Sequence, residues 1–171
     1  MFDMNVNIDD DIYIRSVKKE DVVSIQKWIN NQKYNLNDKE KPLGLKEIYE
    51  RFLEYYVSEG EFFLKINKGD ALIGILKGRI EFKNPNEVWI WYFLIDKECR
   101  NKGIGSKIVE GVENYFNQGF GIYDFYCGVC EQDTKFLRFW NKNGYRLMRI
   151  SKGFFKVDEQ YKDMMIFKKE L

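Results

Sequence analysis

The sequence predicts an α/β sandwich, a single domain spanning residues 1–171 in which strands of a mixed sheet alternate with helices. Three observations predict it. Short alternating or continuous apolar runs recur along the chain as strand candidates. Between them lie stretches whose apolar residues fall at helical spacing. No internal repeat or Pro/Gly/Ser-rich linker breaks the succession over 171 residues, a length that suits one core and a ligand cleft.

Ile12-Tyr-Ile-Arg-Ser-Val17 alternates and reads as the first strand. Glu20 and Asp21 open a helix with Val22, Ile25, Trp28 and Ile29 on one face, the early acids complementing the helix dipole. Asn30 to Gly44 is polar and irregular, long enough for an acceptor-side lid or an ordinary surface loop. A second helix, from about Leu45 to Ser58, carries Ile48, Phe52, Leu53, Tyr55 and Tyr56. Glu61 to Asn67 pairs with Ala71 to Phe82 through the Lys68-Gly69-Asp70 turn. After the Asn84-Pro85-Asn86 turn, Val88 to Ile95 is continuously apolar, as in a strand covered on both faces. The next helix lines up Ile104, Ile108, Val112, Tyr115 and Phe116, with Gly119 and Gly121 ending it. Asp124 to Val129 is a strand and Asp133 to Asn143 a short helix, closed by Gly144 where a left-handed residue is wanted. Tyr145 to Ile150 and Met164 to Lys168 complete the sheet.

Composition removes several classes of function. A 44% hydrophobic and 17% aromatic chain is not a disordered one. With 28 basic and 27 acidic residues, no global field recommends nucleic acid or an anionic membrane, and neither is expected as a partner. Val88 to Ile95, the longest apolar run, is too short to cross a bilayer. Met1 to Asp11 is acidic and lacks the apolar core of a signal peptide. Three cysteines, an odd number, suit a reducing compartment, so a cytoplasmic location is expected. Histidine is absent, which removes Ser-His-Asp and Cys-His systems, His-ligated zinc and His bases. Cys127-Gly-Val-Cys130 has redox spacing, but on a strand the two thiols point to opposite faces. Only Cys99 remains as a further zinc ligand, so no metal is expected.

Arg100-Asn-Lys-Gly103-Ile-Gly105 lies between a strand and a helix. Closely spaced glycines there let several backbone amides converge, and the helix dipole adds positive potential suited to a phosphate. Arg100 and Lys102 can add charge, with Lys107 a turn further on. A Walker loop does not fit, because Arg100 stands where its first glycine belongs and the Lys-Ser order is reversed. A dinucleotide fingerprint fails at Ile108, where its third glycine would be. The pattern that fits is R-x-x-G-x-G after an apolar strand.

With Tyr92 to Val109 as its sharpest stretch, Phe136 to Tyr145 as a second match and Ala71 to Gly74 as a third, the chain resembles the GNAT superfamily of N-acetyltransferases. The resemblance implies a mixed, mostly antiparallel sheet of six to seven strands flanked by helices. It implies acetyl-CoA as cofactor, wedged where two parallel strands splay. The amides of Cys99 to Ser106 would cradle its pyrophosphate, which assigns Arg100, Asn101, Lys102, Gly103, Ile104, Gly105 and Ser106 to the cofactor. Backbone groups of Leu94 and Ile95 would pair with the pantetheine arm. Asp133 and Trp140 stand where many members carry Asn and Tyr near the cofactor, so the usual phenol beside the departing thiolate is missing.

Acetyl transfer needs a neutral amine and a group to take its proton. Glu81 and Glu87 are the leading carboxylates, with Asp96 next, each otherwise a solvated charge. Tyr92, Tyr126 or Tyr145 could act as the acid in place of position 140, or the thiolate could leave unaided. Trp28 and Trp91 line an acceptor cleft or belong to the core. The expected reaction is direct attack of a primary amine on acetyl-CoA. A small cationic amine such as an aminoglycoside or polyamine is the expected acceptor. The alternatives are a peptide N-terminus of the ribosomal-protein type and a non-catalytic acyl-CoA-binding module. The expected assembly is a monomer or homodimer.

Overall fold

A computed structural model describes residues 2–35, 41–157 and 159–171. The chain forms two compact units, one of Met1–Gly78 with Tyr92–Val112 and one of Arg79–Trp91 with Glu113–Leu171.

The first unit holds β1 (Asn5–Asp9), β2 (Ile12–Ser16), α1 (Val22–Asn35), α2 (Leu45–Val57), β3 (Glu61–Lys68) and most of β4 (Ala71–Glu81). It also holds the end of β5 (Glu87–Ile95) and the start of α3 (Ile104–Phe120). Strict alternation in β2 buries Ile12, Ile14 and Ser16 and turns Arg15 outward. Antiparallel pairing sets Ile14 opposite Ile66 of β3. From α2, Ile48, Phe52 and Tyr55 face inward, one helical turn apart. The two-residue link between β3 and β4 uses Gly69 at φ 54, as the tight hairpin requires.

The second unit holds the end of β4, the start of β5, the end of α3, β6 (Asp124–Cys130), α4 (Thr134–Lys142), β7 (Arg146–Val157) and β8 (Gln160–Glu170). Its core includes Val88, Ile90, Phe116, Phe125, Trp140, Tyr145, Ile166 and Phe167. β5 and β6 run parallel, while β6–β8 and β7–β8 are antiparallel. α3 ends when Gly121, left-handed at φ 63, lets its N–H reach Asn117 O and that of Ile122 reach Phe116 O.

Strands hydrogen-bond in the order β1-β2-β3-β4-β5-β6-β8-β7, a mostly antiparallel mixed sheet accompanied by four α-helices among the described residues. The expected fold class therefore holds, with a correction to the strand count from six or seven to eight. The extra strand is β1. Val6 and Ile8 alternate with polar neighbours there, a pattern hidden beside the acids at 9–11. α1 also continues to Asn35, into the stretch expected to be irregular. Of the rest of that Asn30–Gly44 stretch, residues 36–40 lie outside the described residues. Leu43, near the end of the stretch, is tied down: its N–H donates to Asn30 Oδ1 at 2.8 Å, and its carbonyl accepts from Gln26 and Asn30.

Candidate active site

The glycine loop belongs to the first unit. β5 ends at Ile95, and the N–H of the next residue, Asp96, donates to Ile73 O at 2.7 Å. Both Asp96 carboxylate oxygens have partners, Oδ1 accepting from Glu98 N–H in the turn at 2.8 Å and Oδ2 from buried Gln32 Nε2 of α1 at 2.9 Å. Arg100 reaches back through Nε to Ile95 O at 2.9 Å and so anchors the loop to the strand. Asn101 and Gly103 then take left-handed conformations, φ 59 and 79. A Cβ built on Gly103 meets nothing within 4 Å, so the space before the helix is open.

The helical ladder starts with Lys107 N–H to Gly103 O at 3.2 Å. The amides of Ile104, Gly105 and Ser106 therefore precede it and have no helical acceptor. Open space, a left-handed glycine and leading amides fit a phosphate group. Asn101 and Lys102 are exposed, whereas Lys107 is held by Asp9 at 2.8 Å. Gly74 of β4 supports the end of β5, where a Cβ would lie 2.9 Å from Leu94 O and 3.3 Å from Ile95 Cγ1.

Glu81, Glu87, Trp91, Tyr126 and Tyr145 belong to the second unit. Parallel pairing of β5 with β6 runs from Glu87↔Asp124 to Ile90↔Cys127. Alternation puts Glu87, Trp89 and Trp91 on one face of β5. The Trp89 ring stacks on Tyr126, centroids 4.6 Å apart at 12°, and on Trp91, 5.1 Å apart at 16°. Glu87 Oε2 accepts from Trp89 Nε1 at 3.3 Å and from Lys83 Nζ at 2.9 Å. Lys168 pairs with Asp124 at 2.7 Å and stands 5.7 Å from the Tyr126 ring centroid. Burial and, next, the Glu87 charge hold the Tyr126 phenol above its ordinary pKa, with Lys168 opposing them. At neutral pH this hydroxyl keeps its proton. Glu81 pairs with Arg79 at 3.2 Å. Tyr92, which belongs to the first unit, is exposed.

Two participants escaped the sequence reading. Phe155 of β7 packs against the cluster of Trp89, Tyr126, Met164 and Ile166. It is presented by an irregularity between Ser151 and Phe155, where Gly153 is left-handed at φ 58. Asp163 fastens that bend, its carboxylate accepting from Gly153 N–H at 2.9 Å and Lys152 Nζ at 2.7 Å. The Lys152 bond, followed by that from Gly153, holds the Asp163 carboxyl below its ordinary range. The available signal was Lys152-Gly153 inside an otherwise strand-like run.

The remaining candidates are placed as follows. Trp140 is 4% exposed and meets the Tyr145 ring edge-on at 4.8 Å. Tyr145 donates to Glu113 Oε1 at 2.9 Å, and Lys169 Nζ donates to Glu113 Oε2 at 2.6 Å. Burial first, then the Glu113 charge, raises the Tyr145 pKa well above its ordinary value. Asp133 precedes α4 and its side chain caps no amide there. Trp28 is half-buried in the first unit, its Nε1 enclosed without a hydrogen-bond partner among the described residues. Burial drives the Cys127 thiol pKa upward. Among the described residues no helix is long and apolar enough to cross a membrane.

The mixed sheet, its accompanying helices and the glycine loop leading into α3 together mark an α/β transferase. Residues 14–166 match the family described as the acetyltransferase (GNAT) domain, and the chain belongs to that family, the acetyl-CoA-dependent N-acetyltransferases. No curated protein matches it. Similar solved structures include an acetyltransferase from Salmonella typhimurium that modifies the N-terminal serine of ribosomal protein L7/L12. It is 12% identical, with a TM-score of 0.86 over 98% of this chain and 99% of that one. The microcin C7 self-immunity acetyltransferase MccE, in complex with acetyl-CoA and AMP, is 14% identical with a TM-score of 0.83, covering 97% and 96%. Spermidine N-acetyltransferase from Vibrio cholerae, with CoA and spermine, is 16% identical with a TM-score of 0.76, covering 94% and 95%.

Proposed function

We propose that the chain moves an acetyl group from acetyl-CoA to a primary amine by direct attack, with Glu87 taking the amine's proton. Acetyl-CoA supplies the activated thioester. The Cys99–Ser106 loop holds its pyrophosphate, and the Leu94–Ile95 backbone aligns its pantetheine arm. As the carbon–nitrogen bond forms and the carbon–sulfur bond breaks, Glu87 accepts the proton released by nitrogen. The Tyr126 hydroxyl, protonated at neutral pH, supplies one to the sulfur. The observation that carries this reading is the Glu87 carboxylate, 18% exposed and bonded to the Trp89 indole on the face that ends in exposed Trp91. A base on a half-desolvated aromatic face meets an amine that has shed water. Glu81, on the arm of Arg79, is the weaker candidate.

The acceptor is a primary amine on a small molecule or a peptide N-terminus. The solved relatives divide between these, so they support the reaction and leave the acceptor open. Steady-state thiol release tests the base. Glu87→Gln should lower kcat about a hundredfold, within the range for removing a general base, with CoA affinity within twofold of wild type. Glu81→Gln should change kcat by less than about fivefold. Wild-type turnover in Glu87→Gln would remove Glu87 from the chemistry. Tight CoA binding with no transfer to any amine would favour a binding module instead.

A further inference from the structure

We propose that the outer end of the Trp91–Trp89–Tyr126 stack docks a planar aromatic ring, making the preferred acceptor an amine that carries an unsaturated ring. The inference rests on the amine-transfer reading above and names the acceptor class for the same site.

Three near-parallel rings stand in series, with tilts of 12° and 16° between neighbours. Trp89 is 9% exposed and Tyr126 6%, so both inner rings are spent within the protein. Trp91 is 47% exposed although Trp89 covers one of its faces. What it shows to solvent is therefore largely its second face and edge. A flat π-surface already stacked on one side is held in orientation by the rings beneath it, and its open side suits another flat ring. The inner rings are fixed further by Phe155, itself presented by the Asp163-fastened bend.

The surrounding charges decide against a polycation. Glu87, Asp124 and Glu81 have Lys83, Lys168 and Arg79 as partners at 2.9, 2.7 and 3.2 Å. A polyamine would have to displace those cations and would feel their repulsion. Lys168 already stands near the Tyr126 ring, using the cation–π capacity of that end. The unspent binding capacity is the Trp91 surface, which a neutral planar ring uses without disturbing any ion pair.

The test pairs benzylamine with cyclohexylmethylamine, which match in heavy-atom count and differ in planarity. In wild type the KM for cyclohexylmethylamine should exceed that for benzylamine about tenfold, the usual size of one stacking contact. In Trp91→Leu that ratio should fall towards one, and in Trp91→Phe it should largely return. Equal KM values in wild type, or a ratio that survives Trp91→Leu, would overturn the proposal. So would a higher kcat/KM for spermidine than for benzylamine. Independently of turnover, adenosine should quench tryptophan fluorescence saturably in wild type and Trp91→Phe, and not in Trp91→Leu. Loss of transfer to every amine would remove the reaction assigned above, while the adenosine titration alone would still decide whether a ring docks.

Discussion

The glycine loop and the aromatic cluster are built from opposite materials. From Asn101 to Ser106 the first unit presents backbone amides that precede the helical ladder, beside a left-handed glycine facing open space. In the second unit, by contrast, Asp124 pairs with Lys168, and Tyr145 and Lys169 both bond to Glu113, so these polar side chains already have partners. Groups left without protein partners await a ligand, so damage to them should be read in binding. Groups already paired hold the fold, so damage to them should be read in stability.

The largest effect should come from Gly103→Asp. A side chain at φ 79 costs about 1–2 kcal/mol, and a carboxylate in that open space opposes a pyrophosphate. Together these should weaken CoA binding about a hundredfold, since each 1.4 kcal/mol is tenfold. The unfolding midpoint should fall by about 2–8 °C, since each kcal/mol corresponds to about 2–4 °C in a chain of this size. Calorimetric CoA titration beside a melting curve checks both. A large loss of stability with CoA binding intact would reverse the comparison.

Tyr145→Phe should behave in the opposite way. It removes a buried hydrogen bond to a carboxylate, which typically contributes about 1.5–3 kcal/mol, or roughly 4–10 °C here. CoA affinity should stay within twofold. The pH dependence carries a sign that can be checked. Tyr145 titrates above the unfolded value of 10.0 in the folded chain, so the fold favours its protonated form. That stabilisation is complete below about pH 10 and drains away as the pH climbs towards the folded pKa. Wild type should therefore lose stability on the alkaline side more steeply than Tyr145→Phe. Tyr55 and Tyr126, also raised, sustain part of the slope in both.

The same contrast explains what the sequence could reveal. Strands with alternating or continuous apolar character, helices at 3.6 spacing and a glycine loop are local patterns, and the structure carries them at β2, β5, α2, α3 and the 101–106 turn. Gly103 was legible because its backbone conformation is a property of one residue. The stack was not. Trp89 meets Tyr126 only through parallel register across 37 positions, and a one-residue slip would have separated them. Phe155 and Asp163 depend on an irregular pairing that no local composition specifies. Arg100 Nε bonds to Ile95 O, a partner five positions back that charge alone does not suggest. Strand β1 is hidden in the sequence because three consecutive aspartates mask the alternation of Val6 and Ile8.

The smallest effect, and the finest probe of the contrast, should come from Gly74→Ala. Alanine removes conformational freedom from the unfolded chain, a gain of about 0.4–1 kcal/mol where the native backbone accepts it. Its Cβ, however, would stand 2.9 Å from Leu94 O, closer than a carbon and a carbonyl oxygen tolerate. Ile95 Cγ1, at 3.3 Å, can rotate away, but the Leu94 carbonyl is backbone and moves only with the end of β5. The strain should therefore appear where the pantetheine arm is expected to pair, lowering CoA affinity about three- to tenfold. The unfolding midpoint should shift by less than about 3 °C, because the entropic gain offsets part of the crowding. Should the midpoint drop sharply with CoA affinity unchanged, the end of β5 would be a rigid part of the core, and the distinction between a region kept for ligand and a region kept for fold would have to be redrawn at Leu94.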